Sequence, residues 1–78
     1  MSKVPVISAK DFFRWLIKYG CIHISTDGSN YKVEYPKTGK RTTIPIHGNR
    51  DIGIPFLKSI LGQLGIDAES FIDFVKGN

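Results

Sequence analysis

The sequence predicts an α+β fold in which a three-stranded antiparallel sheet carries its helices on one face. Three observations lead to this class. An amphipathic helical segment stands near the start, three segments of alternating apolar and polar residues follow with turn residues between them, and two helical segments end the chain. Helices that flank hairpin-linked strands pack most simply on the same side of the sheet, so the other side is expected to be open.

Length and composition limit the possibilities. Seventy-eight residues make one domain, expected to span 1–78. The single cysteine, Cys21, excludes an internal disulfide and a multi-cysteine zinc site, and no other metal-ligand pattern is visible, so we expect neither a metal nor a small-molecule cofactor. Residues 1–8 resemble neither a signal peptide nor a membrane span, which indicates a cytoplasmic protein without a membrane partner.

The first helix is expected to start with Ser8 as its cap, three residues before Asp11, and to run to about Lys18, with Gly20 ending it. Its buried stripe follows from helical spacing. The stripe comprises Phe12, Phe13, Leu16 and Ile17.

The three strands are predicted at Cys21 to Ser25, Asn30 to Tyr35 and Arg41 to Ile46, with Thr26 to Ser29 as the first turn. Pro45 indicates that the third strand ends at an edge of the sheet or forms that edge. The positions expected to face the helices are Ile22, Ile24, Tyr31, Val33, Tyr35, Thr42 and Ile44. The open face would then present His23, Asn30, Lys32, Glu34, Arg41 and Thr43.

A loop from His47 to Gly53 is expected to lead into a second helix, which Pro55 opens and Gly65 ends, and Asp67 resembles the cap of a third helix. The expected buried side of the second helix is Phe56, Leu57, Ile60, Leu61 and Leu64, and that of the third is Phe71, Phe74 and Val75.

Positive charge is concentrated in the middle of the chain. The formal net charge is +4, and residues 30–50 contain five cations against the single acid Glu34. A polar, basic sheet face suits the phosphates and sugar hydroxyls of RNA. The alternative is a solvated face whose edge lysines, Lys37 and Lys40, deter aggregation.

Three segments together resemble the HicA toxins over nearly the whole chain. They are Gly28 to Lys32, Gly39 to Asn49 and Leu57 to Ile66, and the stretches RTTIPIHGN and LKSILGQLGI are specific in combination. The resemblance implies a fold like the double-stranded-RNA-binding domain, endonuclease activity on messenger RNA, and neutralisation by a HicB-like antitoxin. The helix and strand order inferred from the residues agrees with that fold.

One position departs from the family pattern. HicA proteins have Gly-Ser-His, in which the histidine is catalytic, and Asn30 stands at that position here. An amide cannot transfer a proton near neutral pH as imidazole does, so we expect weak cleavage or none. Either the substitution was made deliberately to allow production of a toxic protein, or a natural variant uses another histidine.

The candidate site residues follow from this resemblance and from the open face. Asn30 holds the catalytic position, His47 is a possible catalytic residue ahead of a helix N-terminus, and His23 is a weaker candidate. The structural alternatives are that His47 forms hydrogen bonds with its own loop backbone and that His23 is a polar surface residue. The expected RNA-binding residues are Gly28, Ser29, Lys32, Lys40, Arg41 and Thr43.

Three functions therefore stand as hypotheses. The first is a metal-independent endoribonuclease toxin that is weakened by Asn30. The second is a non-catalytic RNA-binding module that uses the same face. The third is an interaction protein whose basic face receives an acidic antitoxin.

Overall fold

The computed structural model describes residues 7–46 and 51–77, so the predictions for His47 lie outside the described residues. The described helices and strands, in chain order, are β1 (Ile7–Ser8), α1 (Ala9–Tyr19), β2 (Ile22–Asp27), β3 (Asn30–Tyr35), β4 (Lys40–Pro45), β5 (Asp51–Ile52), α2 (Ile54–Leu64) and α3 (Ala68–Lys76).

The α+β class is confirmed. Strands β2, β3 and β4 form an antiparallel sheet in that order, and α1 and α2 both contact β4. The sequence did not predict the small antiparallel sheet of β1 and β5, and the expectation that Asp51 and Ile52 lie in a loop was wrong. This pairing joins the chain before α1 to the chain before α2.

The helix ends are the best-predicted features. The Ser8 hydroxyl accepts a hydrogen bond from the Asp11 N–H at 3.1 Å, and the Asp67 carboxylate accepts one from the Ser70 N–H at 3.0 Å. Gly65 ends α2 in the left-handed conformation at φ 75°, and a Cβ there would lie 2.9 Å from Thr38 Cγ2. Glycine is therefore required at this position for both its backbone conformation and its size.

The core lies between the helices and one face of the sheet. Phe12 of α1 meets Phe71 of α3 edge to face, with ring centroids 5.6 Å apart. Two predicted core residues were wrong: Ile17 is 37% exposed and Phe56 is 41% exposed, because each lies one position outside the buried line of its helix. The largest fully buried side chains are Phe12, Phe71, Leu16, Ile44, Ile60, Leu61, Leu64 and Val33.

The assignment of faces holds for β3 and β4 and was wrong for Ile22 and His23 of β2. His23 pairs with Val33, and the next pair is Ser25 with Lys32, so Ile24 is an extra residue in a bulge. Side chains of directly paired residues in an antiparallel sheet lie on the same face. The His23 side chain therefore lies on the helix side of the sheet, as that of its buried partner Val33 does. Ile22, expected to face the helices, is 49% exposed, and Ile24 is 39% exposed.

Among the described residues, no helix combines the length and the apolar character that crossing a bilayer requires.

Candidate functional site

The register sorts the open face of the sheet, the side away from the helices, into three rows of cross-strand neighbours. The row beside the β2–β3 turn comprises Asp27, Asn30 and Pro45. The middle row comprises Ser25, Lys32 and Thr43. The far row comprises Ile22, Glu34 and Arg41.

A concavity of about 390 Å³ occupies the first two rows and is called the turn-end cavity below. Its lining residues are Ser25, Asp27, Asn30, Lys32 and Thr43. Within the part of the chain that the structure describes, none of these five side chains makes a hydrogen bond or an ion pair with another protein group. The polar groups of the cavity are therefore available to a ligand.

The tight turn between β2 and β3 builds one end of this cavity. Only Gly28 and Ser29 separate the paired residues Asp27 and Asn30, and Gly28 has φ 62°, which a two-residue hairpin turn requires and glycine adopts without strain. The Ser29 carbonyl accepts a hydrogen bond from the Ile46 N–H at 2.7 Å. The turn is thereby held against the end of β4, and Asn30 is presented at the surface.

The two charged side chains of the far row form an ion pair with each other. Arg41 Nε donates to Glu34 Oε1 at 2.7 Å, and the Glu34 side chain is only 21% exposed. Arg41 shares the open face with Lys32, as predicted, but its charge is already engaged by a carboxylate. The electropositive surface expected from the sequence is therefore weaker at this row.

The three cations expected to hold phosphate do not form one cluster. Lys40 pairs with Tyr35, which faces the core, so Lys40 projects from the helix side of the sheet. Its Cδ lies 3.4 Å from the position that a Cβ on Gly65 would occupy. Lys32 alone of the three lines the turn-end cavity, with Thr43 as its neighbour across the sheet.

The expectation that His23 lies on the open face was wrong. Its ring stacks on Tyr31 at 5.4 Å between centroids and meets Phe13 edge to face at 5.3 Å. Nε2 lies 3.1 Å from the Ser25 carbonyl oxygen and 2.8 Å from Thr26 Oγ1. These contacts hold the ring on the opposite side of the sheet from the cavity.

Cys21 is buried in the core. Burial raises the pKa of the Cys21 thiol to about 11, so it stays protonated near neutral pH. No group of three or more His, Cys, Asp and Glu side chains that could hold a metal ion occurs within residues 7–46 and 51–77.

Sequence reasoning missed two lining residues, Ser25 and Asp27. Asp27 was assigned to the turn, although β2 continues through it, and a two-residue turn at Gly28 and Ser29 would have placed it opposite Asn30. Ser25 was expected on the same face of β2 as His23, but it was not included among the site residues. The register that runs back from the two-residue turn pairs it with Lys32, on the open face.

The cavity combines one carboxylate, one amide, two hydroxyls and one ammonium group. These groups suit a ligand that has both an anionic group and hydrogen-bonding edges, as a nucleotide does. The amide of Asn30 donates and accepts hydrogen bonds but does not take up a proton near neutral pH. Position 30 itself is therefore equipped for binding and not for proton transfer.

The comparisons with known proteins all find similarity to one family. The sequence model of a family described as "HicA toxin of bacterial toxin-antitoxin" matches residues 9–66. A protein of Pseudomonas fluorescens named "Probable mRNA interferase HicA" is 39% identical over 56 residues, which cover 72% of this chain and 90% of that relative. "Probable mRNA interferase HicA 1" of Photorhabdus laumondii subsp. laumondii is 36% identical over 56 residues, covering 72% of this chain and 93% of the relative.

Proposed function

The chain belongs to the HicA toxin family, and from this premise we propose that it is the toxin of a type II toxin–antitoxin system. It acts in the cytoplasm as an endoribonuclease on messenger RNA, and Asn30 weakens its activity. The names of the two relatives, both mRNA interferases, support the substrate class.

The position of Asn30 carries the proposal. The residue that matches the family's catalytic histidine is exposed, lines the turn-end cavity, and shares it with Lys32 and Thr43. A group that must reach a scissile phosphate needs such an accessible position beside a cation, because charge accumulates on the phosphate oxygens during the reaction. The cavity therefore supplies the surroundings that catalysis at position 30 requires.

The proposed reaction needs no metal. The 2′-hydroxyl of the RNA attacks the adjacent phosphorus and gives its proton to a base, which is solvent water while residue 30 is an amide. The bond from phosphorus to the 5′-oxygen breaks, that oxygen takes a proton from solvent, and a 2′,3′-cyclic phosphate is formed. The ammonium of Lys32 and the hydroxyl of Thr43 would hold the phosphate oxygens. The amide of Asn30 removes no proton, so the step that an imidazole would accelerate proceeds slowly.

Restoring the histidine tests the proposal. Asn30→His is expected to raise the rate of RNA cleavage by about 10²- to 10⁴-fold, the usual contribution of a positioned general acid or base. Expression of this variant should arrest growth, and the purified protein should cut a defined messenger RNA in the presence of a chelator. Asn30→Gln, which keeps the amide, is the matched control and should show no gain.

The result that would defeat the enzyme proposal is an Asn30→His protein that is folded and binds RNA but neither cuts it nor arrests growth. That outcome would favour the second function, a non-catalytic RNA-binding module. The amide at position 30 is the specific observation in its favour. This module predicts affinity that falls steeply with salt, because each neutralised phosphate releases counterions.

The partner that we propose is a HicB-like antitoxin with an acidic surface. It would cover the turn-end cavity, where Lys32 has no carboxylate partner among the described residues. An RNA fragment and the antitoxin should then compete for the protein in a pull-down. Capture of the antitoxin with no RNA binding under any condition would support the third function, a pure interaction protein.

A further inference from the structure

The turn-end cavity contains a carboxylate that a surface built only for phosphate would not have. Asp27 lies directly across the hairpin from Asn30, and both side chains line the cavity. Side chains opposite each other in an antiparallel pair have Cβ atoms only about 5 Å apart. Asp27 has neither an ion-pair partner nor a side-chain hydrogen bond in the described part of the chain.

An unpaired carboxylate beside a bound phosphate would weaken binding unless it contacts a different part of the ligand. The cavity separates the two kinds of group. Lys32 and Thr43 lie in the middle row, and Asp27 and Asn30 lie in the row beside the turn. Same-face positions along a strand are about 7 Å apart, so the two rows can contact different parts of one nucleotide.

We infer that Asp27 and Asn30 form a base-recognition subsite that selects guanine in single-stranded RNA, an inference that rests on the proposed function. An ionised carboxylate only accepts hydrogen bonds. Guanine is the RNA base whose Watson–Crick edge offers two adjacent donors, N1–H and the 2-amino group, and unstacked bases of single strands expose that edge to proteins. Asn30, across the hairpin, supplies a donor for the neighbouring guanine O6.

Binding of short RNAs tests the inference. Fluorescein-labelled uridine hexamers that carry one central guanosine, adenosine, cytidine or inosine would be titrated with the protein at low salt and followed by anisotropy. The guanosine hexamer should bind about five- to tenfold more tightly than the adenosine hexamer, the lower part of the range for a bidentate base contact. Inosine lacks the 2-amino group, so its hexamer should lie between them.

Asp27→Asn should reduce the guanosine preference to about unity or shift it towards adenosine, because an amide matches adenine's adjacent donor and acceptor. Affinity for the uridine background should not fall, since a negative charge has been removed. Glu34→Gln is the matched control, because it removes the same charge from the same face outside the cavity. It should leave the guanosine-to-adenosine ratio unchanged.

The outcomes separate this inference from the proposed function. Binding that depends on salt and on Lys32 but is equal for all four hexamers overturns the base selection and leaves the RNA-binding function standing. A guanosine preference that survives Asp27→Asn also overturns it. Absence of binding to every hexamer, by the parent and by Asn30→His alike, defeats the proposed function and the inference with it.

Discussion

The two ends of the open sheet face are built by the same three strands, yet their charged side chains have different surroundings. At the far row, Arg41 and Glu34 engage each other at 2.7 Å. At the turn end, Asp27 and Lys32 line one cavity without a charged partner among the described residues. Charge alone therefore does not locate a site, because a paired cation is already satisfied while an unpaired one is available to a ligand.

The two ends also differ in the apolar groups that they expose. Ile22, in the far row, is 49% exposed. The lining of the turn-end cavity contains no aliphatic side chain. The turn end is therefore the polar end of the face, and the position of an added group along the strands should decide its effect.

The largest expected difference between the two ends is in the rate of RNA cleavage when a histidine is introduced at one end or at the other. Asn30→His is expected to accelerate cleavage by about 10²- to 10⁴-fold, because the imidazole enters the cavity beside Lys32. Glu34→His adds the same group on the same strand and the same face, yet should give no gain. Cleavage rates on one RNA, with circular dichroism to show that both variants fold, provide the measurement.

Equal acceleration by both histidine variants would mean that the two ends are functionally equivalent. The cavity would then have no special role, and the proposed catalytic position would lose its structural basis.

Removing one cation from each end should give the next largest effect. Lys32→Ala is expected to weaken RNA binding by about five- to tenfold at low salt, as loss of one charge-assisted phosphate contact does. Arg41→Ala should weaken it by no more than about twofold, because Glu34 already engages that guanidinium. Anisotropy titrations at several salt concentrations would check both values.

The salt dependence gives an internal control for this pair. The slope of log affinity against log salt should fall by about one for Lys32→Ala, and it should change little for Arg41→Ala. A larger loss for Arg41→Ala would reverse the comparison between the two ends.

Much of the fold was predictable because its signals are local. The caps at Ser8 and Asp67 and the stop at Gly65 lie where the sequence predicts them, since each depends on contacts within a few residues. Strand β3 has its predicted bounds, Asn30–Tyr35. The β1–β5 pair was not predictable, because two-residue strands far apart in the chain leave no periodic pattern.

The site was predictable only in part, for a related reason. Asn30, Lys32 and Thr43 share the open face because β3 and β4 pair without a shift. The bulge at Ile24 shifts the first residues of β2 by one, which moves His23 to the helix side and Ile22 to the open face, whereas Ser25 keeps the register set by the turn. Alternation within one strand cannot show such a shift, because it depends on how the strand pairs with its neighbour.

The smallest expected effect is on the free energy of unfolding. Here the far row should matter more than the turn end, the reverse of the order expected for RNA cleavage and binding. Glu34→Gln is expected to lower the free energy of unfolding by about 0.5 kcal/mol, because it breaks an ion pair whose carboxylate is largely shielded from solvent. Asp27→Asn should cause no measurable loss, since no partner in the described structure depends on that carboxylate. Urea denaturation of the two variants and the parent would measure both effects, and 1 M salt should narrow the deficit of Glu34→Gln by screening. A clear loss of stability for Asp27→Asn would show that Asp27 holds the turn together, and the contrast between a structural far row and a ligand-binding turn end would no longer stand.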